Sequence, residues 1–208
     1  MWLRLILDDM NEKRIILFDL SGVLVELGGM SDFVKWTGMK KEEIIPRWLK
    51  SSSARDLERG FINFDSFYSE FIDEWDASVT YQELFSAFEL WVKRAMPGAI
   101  ELLDELSGKY TLACLTNTNS VQWPIVQKTI NANKYFKHQF VSNELGKVIP
   151  DPDIFQHVVK KLNVPKEHIV FFDDSEMNVK AAINEGIESF HVKSPEEARN
   201  VLKGMGLI

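Results

Sequence analysis

The chain has 208 residues, 45% of them hydrophobic and 26% charged, with 24 Lys+Arg against 31 Asp+Glu for a net charge of −7. That length can bury a real core as one domain, or one domain with an insert, and the acidic balance removes the global electrostatic case for nucleic acid or an anionic membrane as a partner. The single cysteine, Cys114, has no internal disulfide partner and leans toward a reducing, cytoplasmic setting.

Residues 1–7, M-W-L-R-L-I-L, are too short for a secretory apolar region and run into Asp8-Asp9, so an extra terminal turn of helix or strand is expected there. Residues 15–25, I-I-L-F-D-L-S-G-V-L-V, open the fold proper. Four apolar residues running straight into an acid suit a strand buried on both faces of a parallel sheet. Asp19 then falls at the carboxyl end of the strand, where open α/β sheets place their ligand crevice. Ser21-Gly22 lets the backbone turn sharply and present amide N–H groups to an anion.

After Gly28-Gly29 the periodicity becomes helical up to about residue 95. Apolar residues recur at spacings of three and four, among them Phe64, Phe67, Phe71, Trp75 and then Leu84, Phe88, Trp91. Asn63 or Asp65, and Thr80, are candidate N-caps, and Pro46 is expected at a bend between helices. No strand pattern is visible in this insert. The aromatic stripe reads as core first and substrate wall second, and Arg55 and Arg59 as solvated helix arginines, with a substrate-facing role as the alternative.

Met96-Pro97-Gly98 marks the return. A helix is expected over 99–106, a buried strand over 110–115 leading into Thr116-Asn117, and mostly helix over 121–135 with Pro124 in its first turn. A short strand at 140–141, a loop at 146–152 and a helix from 153 to about 162 follow. The strand at 168–172 ends in Asp173-Asp174; a helix over 176–185 stops at Gly186. A short strand at 189–192 and a final helix over 195–202, capped by Ser194, complete the chain.

Strands alternating with helices predict an α/β fold, a doubly wound, parallel, Rossmann-like sheet, with the helical insert as a cap. The expected division is a core of residues 1–27 and 96–208 and a cap of residues 28–95. Three core strands deliver polar residues at their carboxyl ends: Asp19 and Ser21, Thr116 and Asn117, Asp173 and Asp174. In a parallel sheet these ends share one side and can converge. The three carboxylates form an oxygen-rich set suited to a hard divalent cation such as Mg²⁺ and poor for zinc. Either Asp174 or Ser175 can also cap the helix near Glu176. His138, His157, His168 and His191 lack metal-like spacing, and Cys114 reads as a small core residue.

The segments Asp19-Leu20-Ser21-Gly22-Val23, Thr116-Asn117, P-D-P-D-I-F at 150–155 and F-F-D-D-S-E-M-N at 171–178 resemble, in order and over nearly the whole chain, the motifs of the haloacid dehalogenase-like (HAD) superfamily. T-N-T-N at 116–119 is similar to the branch holding sugar-phosphate phosphatases and the N-terminal domain of soluble epoxide hydrolases. The resemblance implies a Mg²⁺-dependent phosphomonoesterase acting on a small phosphorylated metabolite. Asp19 would form an aspartyl-phosphate that water hydrolyses. The metal would be held by Asp19, the Ser21 carbonyl and Asp174, with or without Asp173. Thr116 would stabilise the phosphoryl oxygens alongside backbone N–H groups, with Ser21, Gly22 and Asn117 completing the substrate site.

Two positions depart from the family pattern. Ser21 stands where a second aspartate acts as general acid/base, which implies reduced efficiency. Ile149 stands where the pattern has lysine; Lys147, two residues earlier in extended backbone, either reaches in as the catalytic cation or is a solvated loop lysine. These departures keep open an alternative: a catalytically impaired relative with a binding or regulatory role. A metal-free dehalogenase is disfavoured, because the resemblance for that type is to Asp-x-Tyr in the first motif. The sequence sets no oligomeric state.

Overall fold

The structure, a computed structural model, describes residues 14–208; the terminal turn expected over residues 1–7 lies outside them. The central strand β1 (Ile15–Phe18) is buried at all four positions, which is why it reads as an unbroken apolar run rather than an alternation. It pairs in parallel with a later strand on each side: Ile15 lies opposite Thr111 and opposite Ile169.

The remaining elements follow in chain order: β2 (Val25–Leu27), α1 (Met30–Thr37), α2 (Lys41–Trp48), α3 (Ser52–Glu58), α4 (Phe64–Trp75), α5 (Tyr81–Trp91), β3 (Val92–Ala95), α6 (Ala99–Ser107) and β4 (Thr111–Thr116). Then come α7 (Trp123–Thr129), α8 (Ala132–Tyr135), β5 (Phe136–Val141), α9 (Ser142–Leu145), α10 (Pro152–Leu162), β6 (Ile169–Asp173), α11 (Glu176–Asn184), β7 (Glu188–His191) and α12 (Pro195–Gly204). The main sheet has the order β5-β4-β1-β6-β7 and is parallel throughout.

Alternate side chains of β1 feed two separate cores. Ile16 and Phe18 pack with Leu102 and Leu106 of α6, Trp123 of α7 and Leu202 of α12. Ile15 and Leu17 pack with Ile154, Phe155 and Val158 of α10 and Ala182 of α11. Helices on both faces therefore enclose the sheet as the sequence pattern predicts. Cys114 is buried in the first of these cores.

The insert folds as a helical cap with its own aromatic core: Phe33, Phe67, Phe71, Trp75, Phe88 and Trp91 are buried together, and the Phe88 and Trp91 ring centroids are 4.2 Å apart. Asn63 and Thr80 cap α4 and α5, accepting from the Ser66 and Glu83 amides. Glu74 holds the start of α3, accepting from the Ser51 hydroxyl and the Ser52 and Ser53 amides at 3.0 Å each.

Several local expectations are corrected. Pro46 lies inside α2 rather than between helices. The end of the insert contains a strand: β3 pairs antiparallel with β2, so the chain leaves and re-enters the core through a two-stranded ribbon. Three- and four-residue strands carry too few positions to register as a period. Strand β5 begins at Phe136, earlier than its apolar end suggests.

Candidate active site

The carboxyl ends of β1, β4 and β6 do converge. Asp19 continues β1, its amide donating to the Phe172 carbonyl at 2.8 Å, and Asp173 ends β6. Asp19, Asp173 and Asp174 bring one carboxylate oxygen each to within 4.8 Å of one another. Asp19, Thr116 and Asp173 are buried.

The turn after β1 is tight: the Leu24 and Val25 amides both return to the Leu20 carbonyl, at 2.9 and 2.8 Å, and the Gly22 amide donates to Val25 at 2.9 Å. Gly22 has φ +79°, and a Cβ there would lie 2.2 Å from Asp174 Oδ2. Only glycine allows the Asp174 carboxylate to rest against this turn.

The electrostatics are those of crowded acids. Burial, reinforced by Asp173 and Asp174, holds the Asp19 carboxyl well above the usual carboxylate range, against the pull of the Leu20 amide and the Thr116 side chain. Burial raises Asp173 to about 7, opposed by hydrogen bonds from the Ser175 amide and the Asn178 side chain. Asp174, although open to solvent, is also raised, chiefly because the surrounding protein desolvates its carboxylate. Uncompensated negative charge on an all-oxygen donor set is what a hard divalent cation relieves, so these residues fit Mg²⁺.

Within the trio, Asp173 differs from its partners. Its Oδ1 accepts from the Ser175 amide at 2.7 Å, and both its oxygens accept from Asn178 Nδ2 at 3.1 Å. It therefore holds the start of α11, for which Asp174 or Ser175 was expected; the Ser175 side chain makes no cap bond. Asp19 and Asp174 face a cavity of about 440 Å³ between core and cap, together with Ser21, Gly22, Asn117 and Asn178. Its upper wall is apolar, with Met30, Phe33, Ile44, Trp48, Phe88 and Trp91.

Asn117 lines this cavity, but its side chain is engaged. Its Oδ1 accepts from the Ile149 amide at 2.9 Å and its Nδ2 donates to the Ile149 carbonyl at 2.8 Å. That clamp fixes the loop carrying the departure from the lysine pattern. Ile149 is buried against Phe140, Ile154, Phe155 and Phe171 and also reaches the cavity wall.

Lys147 does not take the missing lysine's place. Its Nζ pairs with Asp153 on α10, and it is not among the cavity-lining residues. The extended-backbone alternation expected there fails because Gly146 turns at φ +68° and the Asp151 amide closes a turn onto the Val148 carbonyl at 3.0 Å.

Two groups were misjudged from sequence. Arg55 and Arg59 are not simply solvated: Arg55 donates to both Asp151 oxygens at 2.9 and 2.7 Å, and Arg59 to Oδ2 at 2.9 Å, tying α3 of the cap to the core. Glu58, which sequence reasoning passed over, lines the cavity. The only signal for it was its place between these arginines on one helix turn, which does not say which way it faces.

The three-layer parallel fold, the acid-bearing strand ends and the helical lid define a capped α/β enzyme. The chain belongs to the haloacid dehalogenase-like hydrolase family, whose sequence model matches residues 13–186. It is similar to a D-ribitol-5-phosphate phosphatase of Bacteroides thetaiotaomicron, 22% identical over 90% of this chain and 95% of that one. It is also similar to a phosphorylated carbohydrates phosphatase of Thermotoga maritima, 30% identical over 51% of this chain and 59% of that one. Among solved structures, a HAD family enzyme from Bacteroides thetaiotaomicron in complex with magnesium and inorganic phosphate superposes with a TM-score of 0.74 at 25% identity, covering 90% of this chain and 98% of that one.

Proposed function

We propose that the protein is a magnesium-dependent phosphomonoesterase acting on a small phosphorylated carbohydrate. The observation that carries this reading is the convergence of Asp19, Asp173 and Asp174 at the sheet end beneath the helical cap, with the Thr116 side chain hydrogen-bonded to Asp19. The names of the two relatives, and the magnesium and phosphate bound to the structural neighbour, support the same chemistry.

Asp19 is the nucleophile: its carboxylate oxygen bonds to phosphorus as the ester oxygen leaves, and water later releases phosphate. The buried Thr116 hydroxyl, beside Asp19, and the Ser21 amide hold the phosphoryl oxygens, the Gly22 amide being taken by the Val25 carbonyl. Asp19, the Ser21 carbonyl and Asp174 would hold the cation, with Asp173 supporting them through α11. Bound there, Mg²⁺ supplies the positive charge that lets the acids ionise and that offsets charge on the phosphoryl group. The apolar cap wall limits the access of water to the intermediate. Burial pushes the Cys114 thiol up and leaves it inert, so it takes no part in this chemistry.

A second reading, a catalytically impaired relative that binds a phosphorylated ligand, is favoured by two observations: Ser21 in place of an acid, and Lys147 turned toward Asp153. The test is turnover of 4-nitrophenyl phosphate and a panel of sugar and polyol phosphates with Mg²⁺, beside Asp19→Asn. Turnover lost in Asp19→Asn supports the enzyme. Binding of sugar phosphates with no Asp19-dependent turnover supports the impaired relative.

A further inference from the structure

Breaking the bond between phosphorus and a carbohydrate oxygen requires a proton at the departing oxygen, because an alkoxide is a poor leaving group. The Ser21 hydroxyl cannot supply one near neutral pH. Among the described residues lining the cavity, three are titratable: Asp19, Asp174 and Glu58. The first two belong to the cation cluster. Glu58 stands apart from it, contributed from above by the last residue of α3.

Its placement is built. Trp48 Nε1 on α2 donates to Glu58 Oε1 at 2.9 Å, and Asn117 Nδ2 reaches Oε2 at 3.5 Å. Glu58 therefore lines the same cavity as Asp19, held between Trp48 of the aromatic wall and Asn117 of the core, and a leaving group departing from phosphorus enters that cavity. The two cations beside it, Arg55 and Arg59, are turned to Asp151 rather than closed onto Glu58.

Resting on the phosphatase reading, we propose that Glu58 is the general acid and base of the reaction, delivered by the cap in place of an acid at position 21. In the first half, the bond from Asp19 Oδ to phosphorus forms, the bond from phosphorus to the ester oxygen breaks, and the Glu58 proton passes to that oxygen. The products are the alcohol, the aspartyl-phosphate and the Glu58 carboxylate. In the second half, a water oxygen bonds to phosphorus, the bond to Asp19 breaks, and Glu58 takes the water's proton. The sum is phosphomonoester plus water giving alcohol and phosphate, with Glu58 restored.

Burial pushes the Glu58 carboxyl up to about 7, opposed by the Trp48 hydrogen bond and by Arg55 and Arg59, so both of its forms are accessible near neutrality. The groups facing it are Trp48 from α2 and Asn117 from the core, with the charges of Arg55 and Arg59, paired to Asp151, acting from nearby.

The experiment compares Glu58→Gln with the unmutated chain, both with Mg²⁺, in rapid-mixing assays on 4-nitrophenyl phosphate and ribitol 5-phosphate. Nitrophenolate needs no proton to depart. Glu58→Gln should keep a burst of nitrophenolate followed by slowed steady turnover, and should lose about 10²–10⁴-fold in alcohol release from ribitol 5-phosphate. Equal losses on both substrates, or none on either, overturn the proposal. Should Glu58→Gln melt well below the unmutated chain, the pH profile of the unmutated chain decides. The ratio of alkyl to aryl single-turnover rates falls as pH rises through about 7 if Glu58 is the donor, and stays flat if it is not. Absence of Asp19-dependent turnover in the unmutated chain would overturn the phosphatase reading, and this one with it; that result is distinguishable because it appears before any change at Glu58.

Discussion

Gly22→Ala tests whether the turn after β1 is shaped to seat Asp174. The residue has φ +79°, and its added Cβ would meet Asp174 Oδ2 at 2.2 Å and Cγ at 2.6 Å. A left-handed alanine costs about 1–2 kcal/mol, and forcing the carboxylate aside adds about 1–3 kcal/mol of overpacking. The lower entropy of unfolded alanine offsets about 0.4–1 kcal/mol of this. The net destabilisation is about 1–4.5 kcal/mol, or a melting temperature lowered by roughly 2–18 °C in a domain of this size. The displaced carboxylate is also a proposed cation ligand, so stabilisation by added Mg²⁺ should shrink or vanish, a linkage effect read in the same thermal scans. A variant that melts within a degree or two of the unmutated chain and keeps its full response to Mg²⁺ would refute the reasoning.

Asp19→Asn should abolish turnover while raising the melting temperature of the metal-free protein, because it removes a buried, repelled carboxyl; calorimetry without and with Mg²⁺ shows both the gain and the lost metal response. Asp151→Asn should weaken the tie between cap and core by about 1–2 kcal/mol, the scale for partly exposed ion pairs held by several hydrogen bonds, and should raise KM more than it lowers kcat. The Glu58 carboxyl rises from 4.5 to about 7 on folding, so the folded chain holds that proton more tightly than the unfolded one. The stability linked to it is present below about pH 4.5 and lost as pH rises through 7. The melting temperature of Glu58→Gln relative to the unmutated chain should therefore climb by a few degrees between pH 5 and pH 8; a constant difference would contradict the raised carboxyl.

What could be read from the sequence was whatever local pattern dictates. Residues 15–18 announce a doubly buried strand because all four are apolar, and the acid after them must then fall at the sheet edge. The same logic placed Thr116 and Asp173, and the spacing of Phe67, Phe71 and Trp75 announced a cap helix. What escaped depends on how elements are turned against each other. Glu58, Arg55 and Arg59 share a helix with no pattern to say that one faces the cavity while the others face Asp151. For Lys147 the sequence left two readings open, because the two-residue alternation holds only in extended chain and a turn closes from Val148 to Asp151. Asn117 looked like a ligand-binding amide; only the fold reveals that it clamps Ile149 thirty-two residues away.

The position of β1 also sets the order in which the protein can be assembled. As the middle strand, it needs β4 on one edge and β6 on the other. A nascent chain emerging from its N-terminus first must therefore make roughly a hundred further residues, the whole cap among them, before β1 meets its first partner, and roughly fifty more before the second. Until then, its apolar residues and open strand edges have nothing of their own sheet to pair with. The cap, whose aromatic core is drawn from one contiguous segment, can gather early by local contacts and bring β2 and β3 together. The helices that later cover the site thus double as the clasp that shortens the loop between β1 and β4, lowering the entropy of closing the sheet.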